Sequence, residues 1–120
     1  MSDDLCFASR DLKPHAEPVS PRDLREGHVY FAVQFVDREL LIPTVEPLVF
    51  IGQDLEAEAP GMYFQDAQSY RDGLRYGSEE ARSENATFYA QTDVKHIFDY
   101  ERALDQMLAC SLRRARTREP

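Results

Sequence analysis

The strongest hydrophobic pattern along the chain is a period of two in the segment 28–37, HVYFAVQFVD. Every second position from Val29 to Phe35 carries a large apolar side chain, which predicts a strand with one face in the core. Further apolar segments at 45–52, 62–66 and 86–92 predict three more strands. Pro47 has no N–H to donate, so it must lie at the start of its strand, at a sheet edge or at a bulge.

Near the C-terminus the apolar period lengthens to that of a helix. The stripe begins at Ile97 and continues through Tyr100, Leu104, Met107, Leu108 and Leu112. Acidic residues near its start and arginines near its end suit the helix dipole, and we expect Leu104 to lie at the centre of a buried face. The order of elements predicts an α+β fold: a small antiparallel sheet or SH3-like barrel of four to five strands, with the C-terminal amphipathic helix packed on it.

The length of 120 residues is typical of one domain. Residues 1–19 are acidic and contain prolines, which predicts an extended N-terminal lead-in. The globular domain is expected over residues 20–114, and residues 115–120 are expected to form a disordered basic tail.

The net charge of the chain narrows the classes of partner that we expect. Twenty-two acidic residues against 14 basic ones give a net charge of −8, which argues against general binding to nucleic acid or to an anionic membrane. We expect the partner to be another protein with a basic patch, and self-association stays open.

Cysteine usage and the start of the chain predict a cytoplasmic setting. Cys6 and Cys110 lie near opposite ends of the chain, which does not suggest a disulfide framework. The opening residues lack the apolar region of a signal peptide, and no apolar run approaches the ~20 residues of a membrane helix. Twelve arginines against two lysines are typical of a GC-rich bacterial genome.

The segment GQDLEAEAPG, residues 52–61, places Asp54, Glu56 and Glu58 at every second position. A calcium loop that started at Asp54 would need glycine at its sixth position and glutamate at its twelfth. Those positions hold Ala59 and Gln65, so we expect no metal, and no other motif indicates a cofactor. The spacing predicts a solvated hairpin connection whose three carboxylates are candidates for binding a partner.

Three tyrosines, Tyr30, Tyr63 and Tyr89, fall within predicted strands. If their side chains share a face of the sheet, they could line a groove that binds a peptide. If not, they are core residues whose hydroxyl groups reach water.

Two other functions stay open on the sequence. A small enzyme could use His28 or His96 as general acid or base, together with Asp66 or Asp99. The arginine-rich segment 113–119 could bind RNA, although the charge of the rest of the chain opposes it.

The lead-in to the first strand carries Leu24, Gly27 and Tyr30 in the spacing LxxGxxY. Across residues 20–92 the chain resembles uncharacterised bacterial domains of the SH3-like small-barrel type. The resemblance implies a binding module. We therefore expect a non-enzymatic protein-interaction or regulatory domain of the immunity or adaptor kind, which binds through the acidic loop and the strand tyrosines.

Overall fold

The structure of the chain is a computed structural model, which describes residues 11–12, 16–84 and 86–118. The strands within these residues are β1 (Val29–Phe35), β2 (Pro43–Gln53), β3 (Met62–Asp66), β4 (Phe88–Gln91) and β5 (Ile97–Phe98). The helices are α1 (Ala67–Arg71), α2 (Glu79–Ser83) and α3 (Tyr100–Arg118), and a 3₁₀ turn covers Pro21–Asp23.

The five strands form one antiparallel sheet in the order β4-β3-β2-β1-β5. The long β1–β2 hairpin places Tyr30 opposite Leu48 and Phe35 opposite Pro43. On its two sides the hairpin pairs with β3 and with β5, and β3 pairs with β4. The predicted α+β fold with an antiparallel sheet and a C-terminal helix is confirmed. The sheet is open, with β4 and β5 as its edges, so the barrel alternative is not confirmed.

The segment predicted to begin the C-terminal helix is instead strand β5. Ile97 pairs with Ala32 and Phe98 pairs with Phe31, and both β5 side chains are buried on opposite faces of the sheet. Two adjacent apolar residues are compatible with a helix and also with a strand that is buried on both faces. The period of the sequence therefore cannot distinguish a helix from a strand here.

One face of the sheet carries the larger core. Its buried side chains are Tyr30, Ala32, Leu48, Phe50, Met62, Phe64 and Ile97, joined by Val19 and Val94 from the flanking segments. Phe64 is completely buried, and its ring centroid lies 5.5 Å from that of Phe50. The N–H of Val19 donates to the carbonyl oxygen of Ile97 at 2.8 Å. The packed domain therefore begins before the predicted boundary at residue 20; most of the predicted lead-in lies outside the described residues.

Helix α3 packs on the other face of the sheet, over β1 and β5. Its buried residues are Ala103, Gln106, Ala109 and Cys110, and Ala103 packs with Val33 and Phe98. The Gln106 side-chain oxygen accepts the N–H of Ala16 at 2.9 Å, which fixes the chain before β1 against the helix. The expectation of a buried Leu104 is therefore wrong. The small side chains face the sheet because they let the helix approach it closely.

Helix α3 begins later and ends later than the sequence predicts. Asp99 precedes it and accepts the N–H of Arg102 at 2.9 Å, the contact of an N-terminal cap. The helix then continues to Arg118, so most of the segment 115–120, predicted to be disordered, is helical. Residues 119–120 lie outside the described residues.

The connection between β2 and β3 approaches the edge strand β4 closely at Gly61. This glycine has a φ of +140°, and a Cβ placed on it would lie 2.5 Å from the carbonyl oxygen of Gln91. Glycine is needed here because other residues rarely adopt this backbone conformation. It is also needed because a Cβ would collide with the Gln91 carbonyl oxygen, which is part of the backbone and cannot move aside. The connection is thereby fixed against β4. No helix in the described part of the chain has the length and apolar character to cross a membrane.

The orientation of α3 predicts a small loss of stability for one substitution and a large loss for another. Leu104→Ala removes an exposed side chain and should change the free energy of unfolding by less than ~0.5 kcal/mol. Ala109→Leu inserts a large side chain at a buried position and should destabilise by ~1–3 kcal/mol. Alanine and leucine are both strong helix formers, so helix propensity does not account for the difference. Chemical denaturation measures both variants, and a loss of ~2–5 kcal/mol for Leu104→Ala would mean that the helix faces the other way.

Candidate functional site

The acidic loop between β2 and β3 is closed by its first acidic residue. Asp54 has a φ of +52°, and its N–H donates to the carbonyl oxygen of Gly61 at 2.8 Å. A carboxylate oxygen of Asp54 accepts the N–H of Gly61, also at 2.8 Å. Asp54 thus holds the two ends of the loop together, and its predicted role in binding a partner competes with this structural role.

The second acidic residue is also held from within the chain. Glu56 accepts a hydrogen bond from the hydroxyl group of Tyr76, twenty residues further along the chain. The hydrogen bond and the nearby negative charge raise the pKa of Tyr76 to about 12, because both favour the protonated phenol. Glu58 is exposed. Of the three predicted binding carboxylates, Glu58 is the one that the loop structure does not use.

Three aromatic rings pack against one another next to this loop. The ring of Tyr76 meets the rings of Tyr63 and Phe88 edge to face, at centroid distances of 5.7 and 5.2 Å. The hydroxyl group of Tyr63 donates to the carbonyl oxygen of Ala59 in the loop. A cavity of about 390 Å³ lies beside Tyr76 and Phe88. These contacts fix the acidic loop on the body of the domain.

The three strand tyrosines do not form one groove. Tyr30 and Tyr89 belong to the larger core cluster, and Tyr63 lies on the opposite face of the sheet. The Tyr30 hydroxyl accepts the N–H of Arg25 at 2.9 Å, and the Tyr89 hydroxyl donates to Glu46 at 2.9 Å. Burial, followed by the contact with Glu46, raises the pKa of Tyr89. Tyr30 and Tyr63 are buried, Tyr89 is partly buried against the larger core, and the hydroxyl group of each is bonded within the chain.

A cleft of about 600 Å³ brings His28 and Asp99 together at the start of α3. Its wall also includes Asp23, Arg25, Tyr30, Tyr100 and Arg102. His96 is not in this wall. The cleft therefore unites one histidine of the enzyme alternative with one of its two carboxylates, although they are 71 residues apart in the sequence.

The other carboxylate of the enzyme alternative, Asp66, has a structural role. It caps α1 by accepting the N–H of Ser69 at 2.9 Å, and it accepts the Ser69 hydroxyl at 2.5 Å and the N–H of Thr87 at 2.8 Å. Burial alone would raise the pKa of Asp66, but these hydrogen bonds outweigh it and lower the pKa. Asp66 is therefore a poor proton acceptor. No group of three metal-ligating side chains occurs among the described residues.

The arginines near the end of α3 bind the β1–β2 turn. The Arg113 side chain donates to the carbonyl oxygen of Leu40 at 3.0 Å, and that of Arg114 donates to the carbonyl oxygen of Leu41 at 2.8 Å. Arg113 also lies over the ring of Phe35, 5.3 Å from its centroid. Leu40 has a φ of +60°, so these bonds hold a turn with an uncommon backbone conformation. Two of the arginines proposed for RNA binding thus have partners within the chain.

The feature that sequence reasoning missed is the outward face of α3. Four large apolar side chains lie along it, and each is more than half exposed: Tyr100 (62%), Leu104 (58%), Leu108 (55%) and Leu112 (53%). Tyr100 lies at the margin of this face, because its ring also packs edge to face on Phe31 of the sheet, with centroids 4.7 Å apart. We call these four residues the leucine face. Their spacing of four residues was visible in the sequence, and so were the small residues on the opposite side of the helix. Large exposed apolar patches on soluble proteins mark interaction sites.

No protein-family model, curated protein or solved structure matches this chain.

The bond between Tyr76 and Glu56 predicts how the acidic loop responds to alkaline pH. The folded-state pKa of Tyr76, about 12, lies above its ordinary value of 10.0. The hydrogen bond from Tyr76 to Glu56 therefore stabilises the fold fully below pH 10, and this stabilisation is lost as the pH rises towards 12. We expect Tyr76→Phe to be less stable than the natural chain at pH 8, and the difference should shrink above pH 10. Denaturation at a series of pH values measures this.

A matched pair of loop variants assigns the effect to Glu56. Glu56→Gln removes the charge beside Tyr76, so one tyrosine should ionise at lower pH in an absorbance titration. Glu58→Gln removes an equal charge from an exposed position and should leave the tyrosine titration unchanged. Equal effects of the two variants would show that the bond to Glu56 does not form.

Proposed function

We propose that this chain is a non-enzymatic protein-interaction domain, of the regulatory or adaptor kind, that binds another protein chain through the leucine face. The observation that carries the proposal is the exposure of Tyr100, Leu104, Leu108 and Leu112 along one side of α3. Fully burying an exposed leucine side chain contributes ~1.5–3 kcal/mol. About half of each of these four side chains is still exposed, so covering that remaining area is a driving force for association. A helix with an apolar face is a common element of protein recognition.

The rigidity of α3 supports the same function. The helix is fixed to the sheet by Ala103, to the chain before β1 by Gln106, and to the β1–β2 turn by Cys110, Arg113 and Arg114. A face that is already ordered loses little conformational entropy when it binds.

The acidic surface adds the second part of the proposal. The net charge of −8 attracts a partner with a basic patch and speeds its association. Glu58 is the loop carboxylate best placed for such a contact, because Asp54 and Glu56 already hold the loop. The buried, unpaired thiol of Cys110 fits the reducing conditions of a cytoplasm, which we propose as the setting.

A small enzyme is the second candidate, and the cleft with His28 and Asp99 favours it. A histidine and a carboxylate that line one cleft can both act on a substrate bound there as proton donor or acceptor. We place this candidate second because Asp99 already caps α3 and because, of the two phenols in the same wall, that of Tyr30 is bonded to the N–H of Arg25. Selective NMR shifts at His28 on addition of small anions, lost in Asp99→Asn, would favour the enzyme.

Affinity capture from cells of the native organism tests the proposal. The tagged chain should retain a specific protein, and the double variant Leu104→Ser/Leu108→Ser should lose it. Val36→Ser is the matched control, because Val36 is an exposed apolar residue (67%) outside α3. All three chains should melt at the same temperature. Equal capture by all three, or capture by none, would contradict binding through the leucine face.

A further inference from the structure

We infer that the cavity beside Tyr76 and Phe88 is a binding site for an arginine side chain of a basic protein partner. This inference rests on the part of the proposed function that concerns the basic patch, since it names the side chain that makes the contact and the place where it binds. Two aromatic rings and two carboxylates in the wall of one cavity carry it. We call this cavity the Tyr76 cavity.

The Tyr76 cavity lies where the acidic loop, the α2 segment and strand β4 meet. Its volume is about 390 Å³, and its wall includes Glu56 from the loop, Arg82 and Glu84 from the α2 segment, and Phe88 from β4. The other residues of the wall are small: Gly77, Ala81 and Ala86. A side chain that enters the cavity therefore meets aromatic carbon and carboxylate oxygen in the same place.

The two rings of the wall suit a planar cation. Tyr76 and Phe88 meet edge to face, with centroids 5.2 Å apart. An aromatic face attracts a cation within ~6 Å of its centroid, and a guanidinium group also stacks on it. The chain itself contains such a pair, because the guanidinium carbon of Arg75 lies 3.8 Å from the centroid of the Tyr70 ring. Arginine suits these walls better than lysine, whose ammonium group is compact and more strongly hydrated.

The carboxylates of the wall can still accept hydrogen bonds from a ligand. Glu56 accepts the Tyr76 hydroxyl through one of its two oxygens, and a carboxylate has acceptor sites for about four hydrogen bonds. Glu84 is exposed, and no side chain among the described residues bonds to its carboxylate. Arg82 forms no ion pair with either carboxylate in that part of the chain. Two carboxylates against one guanidinium favour a cation over an anion in the cavity.

The segment that carries Tyr76 is ordered before any ligand binds. The buried Gln65 side chain donates to the carbonyl oxygen of Leu74 at 3.0 Å, two residues before Tyr76. On the other side of Tyr76, the Ser78 hydroxyl donates to the carbonyl oxygen of Arg75 at 2.7 Å. A wall that is already fixed loses little conformational entropy when a side chain enters the cavity.

An NMR titration with short peptides tests the site. The peptide acetyl-Gly-Arg-Gly amide should shift the backbone amide signals of Tyr76, Gly77, Ala81 and Phe88 and reach saturation, with a dissociation constant of about 1 mM or below at low ionic strength. The same peptide with lysine in place of arginine should bind roughly two- to fivefold more weakly, and the peptide with neutral citrulline should not bind. Equal binding of the arginine and lysine peptides, or shifts spread over the whole acidic surface, would overturn the inference, because general attraction of charge gives that result.

Three variants at exposed positions test the charge of the ligand. Glu84→Gln should weaken binding of the arginine peptide about two- to fivefold, the range of an exposed ion pair, whereas Arg82→Gln should strengthen it. Glu39→Gln is the matched control, because it removes an equal charge from the β1–β2 turn, at the opposite end of β2 from the acidic loop. It should leave the affinity unchanged, and all three variants should melt like the natural chain. An effect of Glu84→Gln no larger than that of Glu39→Gln, or weaker binding by Arg82→Gln, would overturn the site.

The titration and the capture experiment separate this inference from the proposed function. If the arginine peptide does not bind but capture still depends on Leu104 and Leu108, the arginine site is overturned and binding through the leucine face is supported. If the peptide binds in the Tyr76 cavity but capture does not depend on these leucines, the arginine site is supported and binding through the leucine face is overturned.

Discussion

Helix α3 can approach the sheet closely only through the side on which its residues are small. Ala103, Ala109 and Cys110 are buried on that side, and Ala103 packs with Val33 and Phe98 of the sheet. Close packing of a helix on strands requires complementary surfaces, and a row of leucines would hold the two layers farther apart. The direction of every other side chain on the helix follows from this contact, including the outward position of Leu104 and Leu108 and the reach of Arg113 to the β1–β2 turn.

The polar contacts of the structure fix turns that the core does not cover. Asp54 closes the β2–β3 loop, Asp66 fixes the start of α1, and Asp37 accepts the N–H groups of Leu41 and Ile42 in the β1–β2 turn. Each carboxylate satisfies backbone donors that would otherwise depend on water. These three carboxylates thus serve the turns of the chain itself. An acidic pattern in the sequence does not distinguish carboxylates of this kind from those that are open to a partner.

The sequence was sufficient for those features that depend on local periodicity. The alternation from Val29 to Phe35 identified β1, and the helical period identified α3 to within a few residues. Periodicity shows that the helix has two different faces. It does not show which of them packs on the sheet when one face carries large apolar side chains and the other carries small side chains. The faces of Tyr30, Tyr63 and Tyr89 depend on strand register and on the bulge near Gly52, which are set by pairing between distant segments. The placement of His28 and Asp99 in one cleft, and the hydrogen bond between Glu56 and Tyr76, likewise depend on the path of the chain.

The open sheet has two edges, and both are small. Strand β5 consists of two residues, and the carbonyl oxygen of Ile97 on its outer side is already bonded to the N–H of Val19. Strand β4 consists of four residues. An unprotected edge is a template on which another chain can add a strand and begin an aggregate, and short edges offer few free N–H and C=O groups for that reaction. Fibre growth by strand addition at these edges is therefore disfavoured, although the sheet is not closed.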